Sequence, residues 1–482
     1  MQYFSPYASL ELNAARNSGA DAIVIDRVTI SHGELVERVA TCGSWFLQQG
    51  LSPGEATGLS IRDEVNHIIC AMALLCLGTP QISLGSHEKD ETKRRLVRKI
   101  GVIQLVVEKA EPWMKGYKTI VMPSDVRGIA STRALAGNLS RAQPLDSVAI
   151  YQNTSGSTNV PKTFGMSLER VTAIAERYAR DEKERRTLRT GSIEFDAHRI
   201  SRMCSLLAGN TCVFLRQLSA NNLVATCERA AVTTIHMQAY RLASLMQSNS
   251  GRRLPSITAI QTGGSRVPGR LRKIVKAHLT GNLWVQYATS EAGLISMASP
   301  DQHDAFPEGV GYPGPEVTLE IVGSDGQLLE PGQIGQIRLQ KRIMPRGYLA
   351  EDGRTANFRD GWFYPGDLVS QGVGEPLVFH GRSDDMMILN GINVFPSAIE
   401  DTLESHEDVQ EAVAYPVKSR IHGEIPVAAV VLHPQARGRS AEYLLDFCRQ
   451  SLGIRGPRQI VVVDHIPRNS AGKPLRRELI RN

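Results

Sequence analysis

Residues 151–163, YQNTSGSTNVPKT, gather most of what an oligophosphate ligand requires. Positions 154–163 hold five hydroxyl residues (Thr154, Ser155, Ser157, Thr158, Thr163), one glycine, Gly156, and one cation, Lys162. Backbone N–H groups loosened by glycine, clustered hydroxyl donors and an ammonium together suit a chain of phosphates. The stretch follows the apolar run LDSVAI (145–150), and a helix is expected from about Leu168, so it reads as the loop of a strand–loop–helix unit. No G-x-x-x-x-G-K-S/T occurs anywhere, which excludes a Walker loop. Taken alone, a hydroxyl-rich loop fits a solvated linker equally well.

Four later stretches add chemistry: QYATSEAG (286–293), GWFYPGDLV (361–369), GRSDDMMILNGINVFPSAIE (381–400) and IPRNSAGKPLRREL (466–479). Singly they are weak, since an Asp after Gly is usually a turn and a Lys near a C-terminus is usually a solvated charge. In this order they resemble the motifs of the adenylate-forming superfamily, which includes acyl-CoA synthetases, peptide-synthetase adenylation domains and luciferases. The resemblance covers residues 145–482. The earlier part fits that family's N-terminal subdomain in length and texture.

The resemblance implies two steps: acid plus ATP gives acyl-AMP and pyrophosphate, then the acyl group moves to a phosphopantetheine thiol. That thiol belongs to coenzyme A or to a carrier protein acting in trans, because the sequence stops at Asn482, just past the lysine motif. A carboxylate attacking an anionic phosphate needs positioning and neutralising charge more than covalent help. Lys473 matches the family's mobile catalytic cation, and Glu291 matches the carboxylate associated with Mg²⁺. Thr154, Ser155, Gly156, Ser157, Thr158 and Lys162 would hold the departing pyrophosphate, with Gly264 and Ser290 also at the nucleotide. Tyr287 would lie against adenine, while Asp367 and Arg382 would take the ribose. Asp384 matches the hinge about which a small domain turns. The chain departs from the family at Asn159 and Thr163, where glycines are usual, at Ala288 and Ser290 in place of Gly and Thr, and at Leu389 in place of Lys.

The acid pocket implied by the same resemblance comprises Asp196, Ala197, Ile200, His236, Gln261, Gly263, Gln286, Leu294 and Ile295. These are medium-sized and mixed in polarity, which suits a small or medium acid better than a long fatty chain. FDA (195–197) resembles the peptide-synthetase segment whose Asp pairs with a substrate α-amino group. That keeps open an alternative, a stand-alone amino-acid adenylation enzyme. Asp196 fits a helix cap equally well. An isolated histidine such as His236 is more often structural than catalytic. A non-catalytic ATP-binding relative is disfavoured, because Lys473, Glu291 and Asp367 are all retained.

The elements that must position these groups read as α/β. Short apolar runs alternate with helical patterns from residue 20 to about 286, including a helix over 32–49, which implies layered sheets. After residue 310 alternating strands with Asp-Gly and Pro-Gly turns at 325–326 and 331–332 suggest a small antiparallel, barrel-like part. Residues 386–482 then read as a small α+β unit with helices at 396–405 and 440–452. The expected organisation is therefore a large multi-layer N-terminal domain, 1–383, binding ATP and acid, and a smaller mobile C-terminal domain, 384–482.

Composition sets the outer limits. With 482 residues, 42% hydrophobic and 22% charged, the chain is an ordinary globular one. The net charge of +6 is mild. The basic stretch 175–189 mixes signs and reads as a solvated helix face. Seven cysteines with no C-x-x-C pair fit a reducing cytoplasm. The N-terminus lacks a signal-peptide pattern, and the longest apolar run, 68–77, is too short for a membrane span. GVGYPG (309–314) matches a dinucleotide fingerprint but precedes a strand rather than a helix. No nucleic-acid-binding motif is present.

Overall fold

The computed structural model describes residues 2–123, 137–154, 162–180, 185–248, 253–254, 257–349, 357–419, 423–438, 440–468 and 472–480. Two mainly parallel sheets dominate. In the smaller, six strands run in the spatial order Lys162–Ser167, Val148–Thr154, Gln81–Ser83, Thr57–Ser60, Gln104–Val107 and Lys118–Val121. Among the described residues the larger has nine strands, whose parallel centre runs from Leu283–Thr289 through Ala259–Gly263, Thr234–Gln238, Arg186–Arg189 and Thr211–Phe214 to Asp21–Ile25.

One apolar cluster joins Ile23 and Phe214 of the large sheet to Leu59 and Ile150 of the small one. Helices fill the space between. The run at 68–77 belongs to the helix Glu64–Cys76, whose last ten residues are all buried. Asp63 starts that helix by accepting from the N–H groups of Val65 and Asn66. The helix expected at 32–49 spans His32–Gln48 and begins with a capping box between Ser31 and Glu34.

The region after 310 is an antiparallel sheet built on Val317–Val322, Gly335–Lys341, Asp367–Ser370 and Val378–Arg382. Among the described residues no strand pairing closes it into a barrel. The last sheet combines Met387–Leu389, Ile392–Val394, Val409–Ser419, Gly423–Leu432 and Gln459–Val462, with the helices Pro396–Ser405 and Glu442–Leu452 packed in its own apolar cluster. All seven cysteines are buried and free of disulfides. Among the described residues no helix is long and apolar enough to cross a membrane.

One expectation fails locally. The hydroxyl-rich loop does not lead straight into a helix. Strand Lys162–Ser167 intervenes and pairs antiparallel with Val148–Thr154, Lys162 lying opposite Thr154. The alternation in KTFGMS sets Phe164 and Met166 into the core, and helix Leu168–Ala179 begins only after Ser167 caps it.

Candidate active site

A cavity of about 2160 Å³ runs from the C-terminal ends of the large sheet's strands to the last sheet of the chain. Thr154 and Lys162 both line it and lie opposite each other on paired strands. Ser155, Gly156, Ser157 and Thr158 lie outside the described residues. The Lys162 ammonium donates to Asn357 Oδ1 at 2.6 Å and sits 5.2 Å from the centre of the Tyr348 ring.

Glu291, 7% exposed, is fixed from two sides. The Tyr348 hydroxyl donates to its Oε1, and the buried Arg170 guanidinium donates to the carbonyls of Ser290 and Glu291. Burial lowers Arg170 to about 10, with Glu291 opposing. Burial and then the neighbouring Glu291 charge push the Tyr348 phenol up, so it stays a proton donor. Among the described residues no three metal-ligating side chains cluster. An ion at Glu291 would therefore draw its remaining oxygens from phosphate and water, a ligand set that fits Mg²⁺.

Asp367, 5% exposed, accepts from the Tyr287 hydroxyl at 2.6 Å and from Arg382 Nη1 at 3.1 Å. Arg382 also reaches Asp384 Oδ1 at 3.1 Å. The Tyr287 ring is largely enclosed and packs against Phe379 at 5.8 Å. Burial and then Asp367 raise its hydroxyl well above the usual range, keeping it a donor. Gly264 takes a left-handed φ of 81° with open space where a Cβ would project, so backbone alone lines that part of the cavity.

Lys473 lines this same cavity. Its neighbour Gly472, at φ 79°, rests on Tyr240 of the large sheet's side so closely that a Cβ would meet the ring. Arg468 lies over that ring at 5.5 Å, donates to the Gly472 carbonyl and pairs with Glu411. Around Asp384 the partners change sides. Ser383 bonds back to the Gly366 carbonyl, whereas Asp385 pairs forward with Arg476.

The family model for AMP-binding enzymes matches residues 10–349, and that for the AMP-binding enzyme C-terminal domain matches residues 398–473. This chain belongs to the AMP-binding enzyme family. The 2-succinylbenzoate–CoA ligase of Bacillus subtilis (strain 168) is 25% identical over 471 residues, 95% of this chain and 94% of that protein. The Bacillus subtilis o-succinylbenzoate CoA synthetase, solved with its acyl-adenylate intermediate, superposes with a TM-score of 0.88 at 22% identity, covering 99% of this chain and 98% of that one. An amide bond synthetase from Marinactinospora thermotolerans, a K483A mutant, gives a TM-score of 0.87 at 21% identity, each chain covered to 99%.

Within this AMP-binding enzyme, most residues expected at the acid pocket line the cavity: Asp196, Ala197, Ile200, His236, Gln261, Gly263, Gln286 and Leu294. Ile295 does not. It is fully buried in the apolar cluster on the opposite face, because neighbours on a strand point to opposite sides and Leu294 takes the cavity side.

Asp196 is also placed differently from either expectation. Phe195 occupies the cap position of helix Asp196–Leu207 without a side-chain bond, and Asp196 is the first helical residue. Its Oδ1 pairs with Arg199 at 2.9 Å and its Oδ2 accepts from the Asn153 N–H at 3.1 Å. Arg199 is fully buried and also reaches Gln81. The carboxylate thus has an internal cation and braces the strand entering the phosphate loop, which weakens the case for a substrate amine there. Tyr348, Asn357 and Arg170 went unnoticed in the sequence. None stands in a local motif, and their roles come from contacts 57 to 195 residues away.

Proposed function

We propose that this enzyme activates a small or medium carboxylic acid with ATP and passes the acyl group to the thiol of coenzyme A. The supporting observation is that Thr154, Lys162, Glu291, Asp367 and Arg382 share one cavity with Lys473 of the C-terminal part. In the first step a carboxylate oxygen bonds to the α-phosphorus and the α–β P–O bond breaks, releasing pyrophosphate. Asp367, steadied by Tyr287 and Arg382, is suited to accept from ribose hydroxyls. Lys162 and the loop it closes would receive the pyrophosphate, and Lys473 would neutralise charge as the two anions meet. Mg²⁺, held through Glu291 and the nucleotide's own oxygens, would offset phosphate charge. In the second step the thiolate sulfur attacks the acyl carbon, the acyl C–O bond breaks and AMP leaves. Asp384, between one clasp facing each part, is the proposed hinge dividing residues 1–383 from 384–482. Acceptance of a carrier protein's phosphopantetheine arm is the finer possibility of the same chemistry. Seven buried thiols support a reducing compartment.

ATP–pyrophosphate exchange across a panel of acids, including the 2-succinylbenzoate of the Bacillus relative, tests this reading. Acid-dependent exchange is expected. Lys473→Gln should slow it about 10²–10³-fold, as loss of one preorganised donor does. Failure to bind ATP, or exchange with no acid, would refute the reading.

A further inference from the structure

The face of the large sheet that looks into the cavity carries Arg189, His236 and Gln261 side by side in register. Two residues nearer the strands' C-terminal ends come Gln238, Gly263 and Gln286. The alternate row, Leu188, Ile235 and Ile260, is buried in the apolar cluster behind. The Arg189 row is therefore a floor beneath the level where the nucleotide groups gather.

Arg189 is 7% exposed. Its Nη2 donates to the Tyr178 hydroxyl and to His236 Nε2, each at 3.2 Å, and its buried Nε has no hydrogen-bond partner. Among the described residues no carboxylate forms an ion pair with it. Burial first, then neighbouring Arg189, with His198, Arg185 and Arg177 after it, holds His236 well below its usual range, so the ring is neutral and accepts from Arg189. Among the described residues the charged side chains acting on His236 are the arginines Arg189, Arg185 and Arg177. Two further arginines secure the backbone here: Arg202 donates to the Arg189 carbonyl and Arg241 to that of Thr190. A guanidinium held this firmly, buried and with no carboxylate paired to it among the described residues, is costly unless an anion arrives to share its site.

We propose that Arg189, supported by Tyr178 and His236, is the subsite for a second carboxylate, so that the acid activated here is a dicarboxylic acid. Two to three strand residues at about 3.3 Å each separate the two levels, which sets the carboxylates roughly 7–10 Å apart. The near carboxylate is the one adenylated. The far one stays ionised and serves only to bind. This inference rests on the adenylation reading above.

The test is pyrophosphate exchange with hexanedioate, octanedioate and benzene-1,4-diacetate, each compared with its monomethyl ester. At least one diacid should exceed its half-ester by about 10⁴-fold in kcat/KM, the scale on which a site built for a polar group rejects an analogue lacking it. In Arg189→Gln that ratio should fall toward one, mostly through KM for the diacid, with Arg189→Lys restoring part of it. Tyr178→Phe should lower the ratio by less. Measuring a ratio within each variant separates lost recognition from lost folding. Equal use of diacids and half-esters by the native enzyme, or an unchanged ratio in Arg189→Gln, would overturn the inference while leaving adenylation intact. Exchange with no acid at all would overturn both.

Discussion

Asp196 illustrates how a residue's chemistry is set by its partners. Its carboxylate neutralises Arg199, which is wholly enclosed, and anchors the Asn153 amide. Asp196→Ala would leave a buried guanidinium alone, a change that costs about 3–5 kcal/mol. Chemical denaturation should show that loss, and Arg199→Met in the same chain should recover much of it. A substrate-amine anchor would instead leave stability nearly unchanged and alter only substrate choice. Tyr348 yields a second prediction. Its hydroxyl orients Glu291, and a hydrogen bond to a charged group contributes about 1.5–3 kcal/mol. Tyr348→Phe should therefore raise the Mg²⁺ concentration giving half-maximal exchange by roughly tenfold, with ATP binding in the absence of metal little affected. An unchanged Mg²⁺ dependence would show that Tyr348 only fills space.

At the scale of elements, helix Pro396–Ser405 carries a titratable group at the boundary between the two parts. Glu404 accepts from the Ala412 N–H, and its backbone carbonyl accepts from Arg270. Burial raises its carboxyl from 4.5 to about 7, with Arg266 opposing. Between those values the folded protein holds a proton that the unfolded chain has released. Stability contributed here is thus greatest at low pH, falls as pH rises from about 4.5 to about 7, and is level above. Glu404→Gln removes that dependence. Its melting temperature relative to the native protein should be unchanged near pH 4.5, rise toward pH 7 and then plateau; a flat difference would show that Glu404 titrates normally.

The same scale shows what could be read from sequence. Helix 396–405, the strand at 317–322 and the turns at 325–326 and 331–332 follow from local apolar period and turn chemistry. Lys473, Glu291 and Asp367 stood out because motifs surround them. That Ile295, expected in the acid pocket, must face away from it was legible but overlooked, since period two forbids it from sharing a face with Leu294. The strand at 162–167 was hidden because its short alternation begins inside the hydroxyl-rich loop. The basic stretch 175–189 was read as solvated, yet Arg186 pairs with Asp21 and Arg189 is buried on the cavity floor. Charge pattern alone does not say which arginines a sheet will bury, because that depends on strand register with residues 25 and 47 positions away.

For the whole molecule, the question is what holds the C-terminal part where Lys473 reaches the cavity. Arg270 donates to the carbonyls of Glu404 at 2.7 Å and His406 at 3.3 Å, and Arg266 pairs with both Glu308 and Asp401. Ser397 donates to the His380 carbonyl at 2.6 Å, and Arg468 covers Tyr240. Apart from Ser397, beside the proposed hinge, and the Arg266–Glu308 pair, which lies within the larger part, these contacts join surfaces that a rotation about Asp384 would separate. On the proposed rotation they belong to one orientation, the one in which Lys473 lines the nucleotide cavity, and would favour the first half-reaction. Arg270→Ala removes one clasp and none of the groups assigned above to nucleotide or acid. Because this arginine is partly exposed, its loss should weaken the orientation by roughly tenfold rather than abolish it. Pyrophosphate exchange should fall by about that factor, whereas transfer from supplied acyl-AMP to coenzyme A should hold steady or quicken. Equal loss in both half-reactions would mean that the clasp supports folding and not the choice between two orientations.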